Sequence, residues 1–273
     1  MSGQDVTVSL LAGLPVLAAC AFTFRFAWWL RTVPLTTPRI LMYHMVRDPL
    51  PGGRFNKMRV SPAAFQTQVK WLRDSGWTFC FLSEVVRNPS DGEKRVVLTF
   101  DDGYRDNLLH ALPVLREFGA KATLFPVVKR DAGYDWSTKK KASHEGGELG
   151  QEPKLSDREI DDMLSTGLLE LGGHSVTHAN LPHLTEEEAR HEIAGCKESL
   201  DSTFGVPVPT FCYPFGLFGE REERLCREAG YIAAVTTEQG IGSDNSFALP
   251  RVKISGSEGM YAFRLRLRTG RRN

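Results

Sequence analysis

From residue 39 onward, short apolar runs alternate with longer amphipathic stretches. The runs are Ile40–Tyr43, Val96–Phe100, Ala122–Val128, Leu168–Leu171, Thr210–Tyr213 and Tyr231–Thr236. Short continuous apolar runs bounded by turn residues are the mark of strands buried on both faces. Helical signals fill the intervals. Ser61 followed by Pro62 opens a helix that runs to about Asp74 and stops near Gly76. Asn107–Phe118 is amphipathic and closes on Gly119. Ser156 with Glu159, and Thr185 with Glu188, are capping boxes. The second opens a helix that carries Ala189, Ile193, Cys196 and Leu200 on one face and ends at Gly205. Gly219–Ala229 predicts a further helix. Strands alternating with helices predict a parallel sheet, closed as a barrel or open and doubly wound. No GxGxxG follows a strand, which weighs against a dinucleotide fold.

Three segments stand outside this rhythm. Asp131–Lys154 is polar, glycine-rich and long, either a solvated excursion or a rim loop presenting Tyr134 or Trp136 to a substrate. The tail YAFRLRLRTGRR alternates arginine with leucine and predicts an edge strand, with a disordered end or a contact with anionic lipid as alternatives. Val6–Phe24 carries no charge and is followed by Trp28, Trp29 and Arg31, the pattern of a membrane-spanning helix with an interfacial belt. No basic residue precedes it, as a signal peptide requires. Leu17–Cys20 has the look of a lipoprotein cleavage site, yet the apolar run continues beyond it. The expected division is an N-terminal membrane anchor or signal segment at 1–31, a linker at 32–38, one domain at 39–260 and a basic tail at 261–273.

The composition is that of an ordinary globular protein, with 41% hydrophobic and 25% charged residues. A net charge of +1 provides no field to draw in nucleic acid. Five scattered cysteines without a CxxC pair imply small buried residues rather than a disulfide framework.

The chemistry gathers at strand ends. Asp101 and Asp102 end the run VLTF and meet Gly103, which starts a turn. Neighbouring side chains at a strand end diverge, so one carboxylate can hold a metal while the other stays free as a base. His174 and His178 in GGHSVTH are spaced to share one cation with a carboxylate, leaving a position open for water. His44 ends ILMYH, and Tyr213-Pro214-Phe215-Gly216 ends PTFCY. In parallel α/β folds, functional groups collect at that end.

TFDDGY, HSVTH and the YPFG turn resemble the NodB-type polysaccharide deacetylases, carbohydrate esterase family four, over about residues 38–255. The resemblance implies an irregular (β/α) barrel of about seven strands and N-deacetylation of an N-acetylated polysaccharide or lipid-linked saccharide. It also implies a divalent metal, usually zinc, held by Asp102, His174 and His178. Asp101 is then the general base, and the Phe215 amide helps to stabilise the oxyanion. Two departures stand out. Cys212 occupies the place of the family's usual arginine, and Arg251 in LPRVKI becomes the candidate to support Asp101. The usual late catalytic histidine is missing, because no histidine follows His191. ILMYHMV resembles the rearranged branch that includes biofilm poly-N-acetylglucosamine deacetylases, which makes His44 the expected acid. A deformylase or other C–N amidase on a small or lipid-linked substrate, and a non-catalytic carbohydrate-binding relative, are the alternatives. Arginines C-terminal to the apolar run point the domain inward. The resemblance favours the extracytoplasmic side of the cell membrane, and that side is the expectation.

Overall fold

The computed structural model describes residues 19, 20, 23, 32–88, 92–130 and 147–271. Seven parallel strands close into a barrel: β1 (Arg39–Tyr43), β2 (Arg95–Asp101), β3 (Ala122–Phe125), β4 (Leu169–Gly173), β5 (Thr210–Cys212), β6 (Ala233–Gln239) and β7 (Leu249–Lys253). Closure comes from β1, which pairs with β2 on one side and with β7 on the other. All seven residues of β2 are buried, as are all five of β1, which explains their continuous apolar runs. Proline at 126 follows β3 directly and has no N–H to extend the ladder. Two short additions sit outside the barrel: Thr78–Phe79 pairs on the edge of β2, and Met45–Val46 pairs with Arg59–Val60.

Helices cover the outside: α1 (Pro62–Asp74), α2 (Leu82–Arg87), α3 (Leu112–Phe118), α4 (Asp157–Leu164), α5 (Glu186–Phe204), α6 (Glu220–Glu228) and α7 (Met260–Thr269). Ser61 caps α1 by accepting from the Ala64 N–H, and both predicted capping boxes are formed, at α4 and α5. The α5 face buries Ala189, Ile193, Cys196 and Leu200 against the barrel, as its spacing predicts.

Several expectations are corrected. Asn107–Phe118 is not one regular helix: Asn107–Ala111 forms a π-turn before α3 begins. Pro113 has no amide hydrogen to give the carbonyl four residues back, so the regular ladder breaks near it. A seventh strand, β7, escaped the apolar pattern because Pro250 and Arg251 interrupt it. The tail is no edge strand. Residues 260–269 form α7, with Phe263, Leu265 and Leu267 buried and Tyr261, Arg264 and Arg268 exposed at helical spacing. Arg266 turns inward to the Lys253 carbonyl and Glu258, which hides the helical period behind an apparent alternation. The apolar segment Val6–Phe24 lies outside the described residues except for Ala19, Cys20 and Thr23. Among the described residues, no helix is long and apolar enough to cross a membrane. Tyr134 and Trp136 also lie outside them.

Candidate active site

The C-terminal end of the barrel delivers the polar groups one strand at a time. His44 follows β1, Asp101 ends β2 and Asp102 comes next. His174 follows β4, with His178 in the loop beyond it, and Phe215 lies just past β5. These residues line a cavity of about 230 Å³ together with Phe55, Met58, Leu149, Tyr213 and Thr237. A larger hollow of about 790 Å³ is lined by Arg105, Arg130, Lys154 and Glu159 among others, and among the described residues it holds no such cluster of ligand atoms.

Asp102 Oδ1 lies 3.2 Å from His174 Nε2 and 3.4 Å from His178 Nε2. All three residues are buried, and their donor atoms fall within 4.8 Å of one another. The Cys212 carbonyl lies 2.7 Å from His174 Nδ1, which places a proton on that nitrogen and turns Nε2 towards the Asp102 carboxylate. A proton on Nε2 satisfies this contact, and a bound cation would take the place of that proton between the ring and the carboxylate. Two imidazole nitrogens and one carboxylate oxygen are the donor set that suits a catalytic zinc or similar divalent ion with an open position. The residues therefore fit a metal. Burial lowers the pKa of His178 to about 3, which keeps that ring neutral and able to coordinate. Burial opposes charging His174 as well, but Cys212 and Asp102 outweigh it and raise its pKa. Asp102 is held below the usual carboxylate range by His174 and His178 despite its burial.

Asp101 is tied elsewhere. Arg251, fully buried in β7, donates Nη1 and Nη2 to its two oxygens at 2.7 Å each. Burial favours the neutral acid, but the bidentate guanidinium overrides it and keeps Asp101 below its ordinary pKa. Arg251 also donates to the Thr236 carbonyl and to Thr99 Oγ1, so its fork is fully held. Its Nη2 lies 3.3 Å from Cys212 Sγ, at the position where the family pattern has its arginine. His44 Nε2 stands 3.8 Å from Asp101 Oδ2.

The backbone is strained at the same place. Among the described residues, the non-glycine residues with positive φ are Asp102 (73°), Ser175 (65°), His178 (58°) and Phe215 (58°). Such conformations cost about 1–3 kcal/mol each and cluster where function demands them. Here all four lie in the loops that carry the site. The Phe215 ring packs against His178 at 4.4 Å between centroids. Glu192 was not expected from the sequence. Its buried carboxylate accepts from the Val176 and Thr177 N–H groups and from Thr177 Oγ1, clamping the HSVTH loop. Its one signal was an acidic residue on the apolar face of α5. All seven sequence-predicted site residues meet here. His110, His183 and His191 are exposed.

Barrel and site together define a deacetylase of the NodB type, a class of hydrolases acting on amide bonds. The chain belongs to the polysaccharide deacetylase family, whose model matches residues 88–234. It is 30% identical over 233 residues to the Bacillus subtilis protein YxkH, which is named among the polysaccharide deacetylases, covering 83% of this chain and 75% of that protein. It is 23% identical over 256 residues to a poly-beta-1,6-N-acetyl-D-glucosamine N-deacetylase of Escherichia coli K12, covering 82% of this chain but only 37% of that relative. The solved structure of the Streptococcus pyogenes deacetylase PplD in complex with acetate has a TM-score of 0.71 and 26% identity, covering 83% of this chain and 96% of that one.

Proposed function

We propose that this chain removes N-acetyl groups from an N-acetylhexosamine-containing glycan, with a divalent metal, zinc by preference, held by Asp102, His174 and His178. The observation that carries the reading is the split between adjacent carboxylates. Asp102 points to two imidazoles, and Asp101 points to Arg251 with His44 nearby. A pure binding site has no use for a second, separately held carboxylate.

When bound, the metal supplies Lewis acidity that makes water a nucleophile at neutral pH. Asp101, kept ionised by Arg251, takes the proton from that water as its oxygen attacks the acetamide carbonyl. In this reading the Phe215 N–H stabilises the developing oxyanion. His44 in its protonated form donates to the nitrogen as the C–N bond breaks, which yields acetate and a free amino sugar. The cavity is smaller than the roughly 300–1,000 Å³ typical of sites that enclose a ligand. It therefore takes the acetamido group and leaves the rest of the glycan outside. The apolar segment Val6–Phe24 anchors the domain to the cell membrane, with the barrel on the extracytoplasmic side.

Acetate release from chitin oligomers, poly-N-acetylglucosamine and peptidoglycan fragments tests the reading. Activity on at least one of these, abolished by a chelator and restored by zinc, is expected. Release only from small formyl or acyl amides would overturn the glycan assignment.

A further inference from the structure

Asp106 and Asn107, just beyond the DDG turn, have no part in the mechanism above, yet both reach the segment that carries His44. Asn107 is fully buried, and its Nδ2 donates to the His44 carbonyl at 2.9 Å and to Asp106 Oδ1 at 3.0 Å. The Val46 N–H donates to the same carboxylate oxygen at 2.9 Å. The chain is thus held on both sides of Met45 by one pair of neighbouring side chains. Pairing of Met45–Val46 with Arg59–Val60 supports the segment from its other edge.

Among the described residues, no hydrogen bond of the His44 ring fixes its place beside Asp101. Its side chain is 20% exposed, and its 3.8 Å approach to Asp101 is too long for a hydrogen bond. Its position therefore depends on the backbone, which Asp106 and Asn107 pin. Asn107 also opens the π-turn Asn107–Ala111. Such turns are rare and recur at functional sites.

We propose that Asn107, together with Asp106, is a positioning residue for His44, holding the imidazole within proton-transfer reach of the departing nitrogen. This rests on the deacetylase reading with His44 as the acid. In that step the C–N bond breaks, the bonding pair goes to nitrogen, and His44 supplies the proton that makes the neutral amine.

Leaving-group dependence tests it. An amine must be protonated to depart, whereas a nitrophenolate leaves without help. Hydrolysis of an N-acetylglucosamine oligomer and of p-nitrophenyl acetate is compared for the wild type, His44→Ala, Asn107→Ala and Asp106→Asn. His44→Ala should lower the amide-to-ester rate ratio by about 100-fold, the usual worth of a general acid. Asn107→Ala should lower the same ratio by about 10-fold or more, through kcat rather than KM, because small displacements of a catalytic group carry costs of that order. Asp106→Asn keeps an oxygen for the Val46 N–H and should retain most of the ratio. If Asn107→Ala proves insoluble, Asn107→Leu keeps the volume and loses the donor. Selective loss in His44→Ala but an unchanged ratio in the Asn107 variant overturns the positioning role and leaves the deacetylase reading intact. An unchanged ratio in His44→Ala overturns the assignment of the acid itself.

Discussion

Arg39 and Arg251 are both fully buried, one at each end of the same barrel. Arg39 opens β1, and its guanidinium donates to the backbone carbonyls of Val33, Pro34, Thr37 and Leu267. Burial lowers its pKa to about 10. Arg251 is just as deep, yet the carboxylate of Asp101 raises its pKa against the same burial. Both guanidinium groups are satisfied by hydrogen bonds, as buried charges must be. The partners set them apart. Carbonyl oxygens make Arg39 a clasp between the segment 33–37 and α7, at the end away from the site. A carboxylate at a strand's C-terminal end makes Arg251 a regulator of charge at the candidate active site. Burial of a charge therefore does not mark function in this barrel; the charge of the partner and the end at which it sits do.

The largest effect is expected from breaking the charged pair. In Arg251→Met, Asp101 loses the group that holds its pKa down, and burial then raises it. A carboxylate with a raised pKa is protonated at higher pH, so the acid limb of the kcat/KM profile should move upward. Activity at neutral pH should fall by about 100-fold or more, since the base is lost. The same variant leaves Asp101 buried without its partner and should cost about 3–5 kcal/mol in urea unfolding. Arg39→Met makes the opposite case. It orphans buried carbonyls at about 1–3 kcal/mol, lowering the unfolding midpoint while the pH profile of kcat/KM stays in place. A shifted profile in Arg39→Met, or an unshifted one in Arg251→Met, would erase the distinction between the two ends.

The same contrast explains what could be read from the chain. Barrel strands were legible because burial on both faces leaves continuous apolar runs. The strand β7 was not, since Arg251 faces a partner 150 residues away that no local pattern reveals. The helix α7 read as a strand because the buried Arg266 imitates alternation with the leucines around it. At the site, Asp101, Asp102, His174 and His178 were visible through motif spacing, which reflects ligand geometry. Glu192 and Asn107 were not. Each is a buried polar residue whose role depends on a loop brought to it only by folding.

Asp101→Asn tests the division of labour between the two carboxylates most directly, with acetate release and bound metal measured on the same sample. Asn keeps the size and an acceptor for Arg251 but cannot take a proton. The account predicts that acetate release falls by about 100-fold or more while metal content stays at the wild-type level, and that Asp102→Ala loses both. Unchanged acetate release from Asp101→Asn, or loss of its metal, would contradict the assignment of base and ligand.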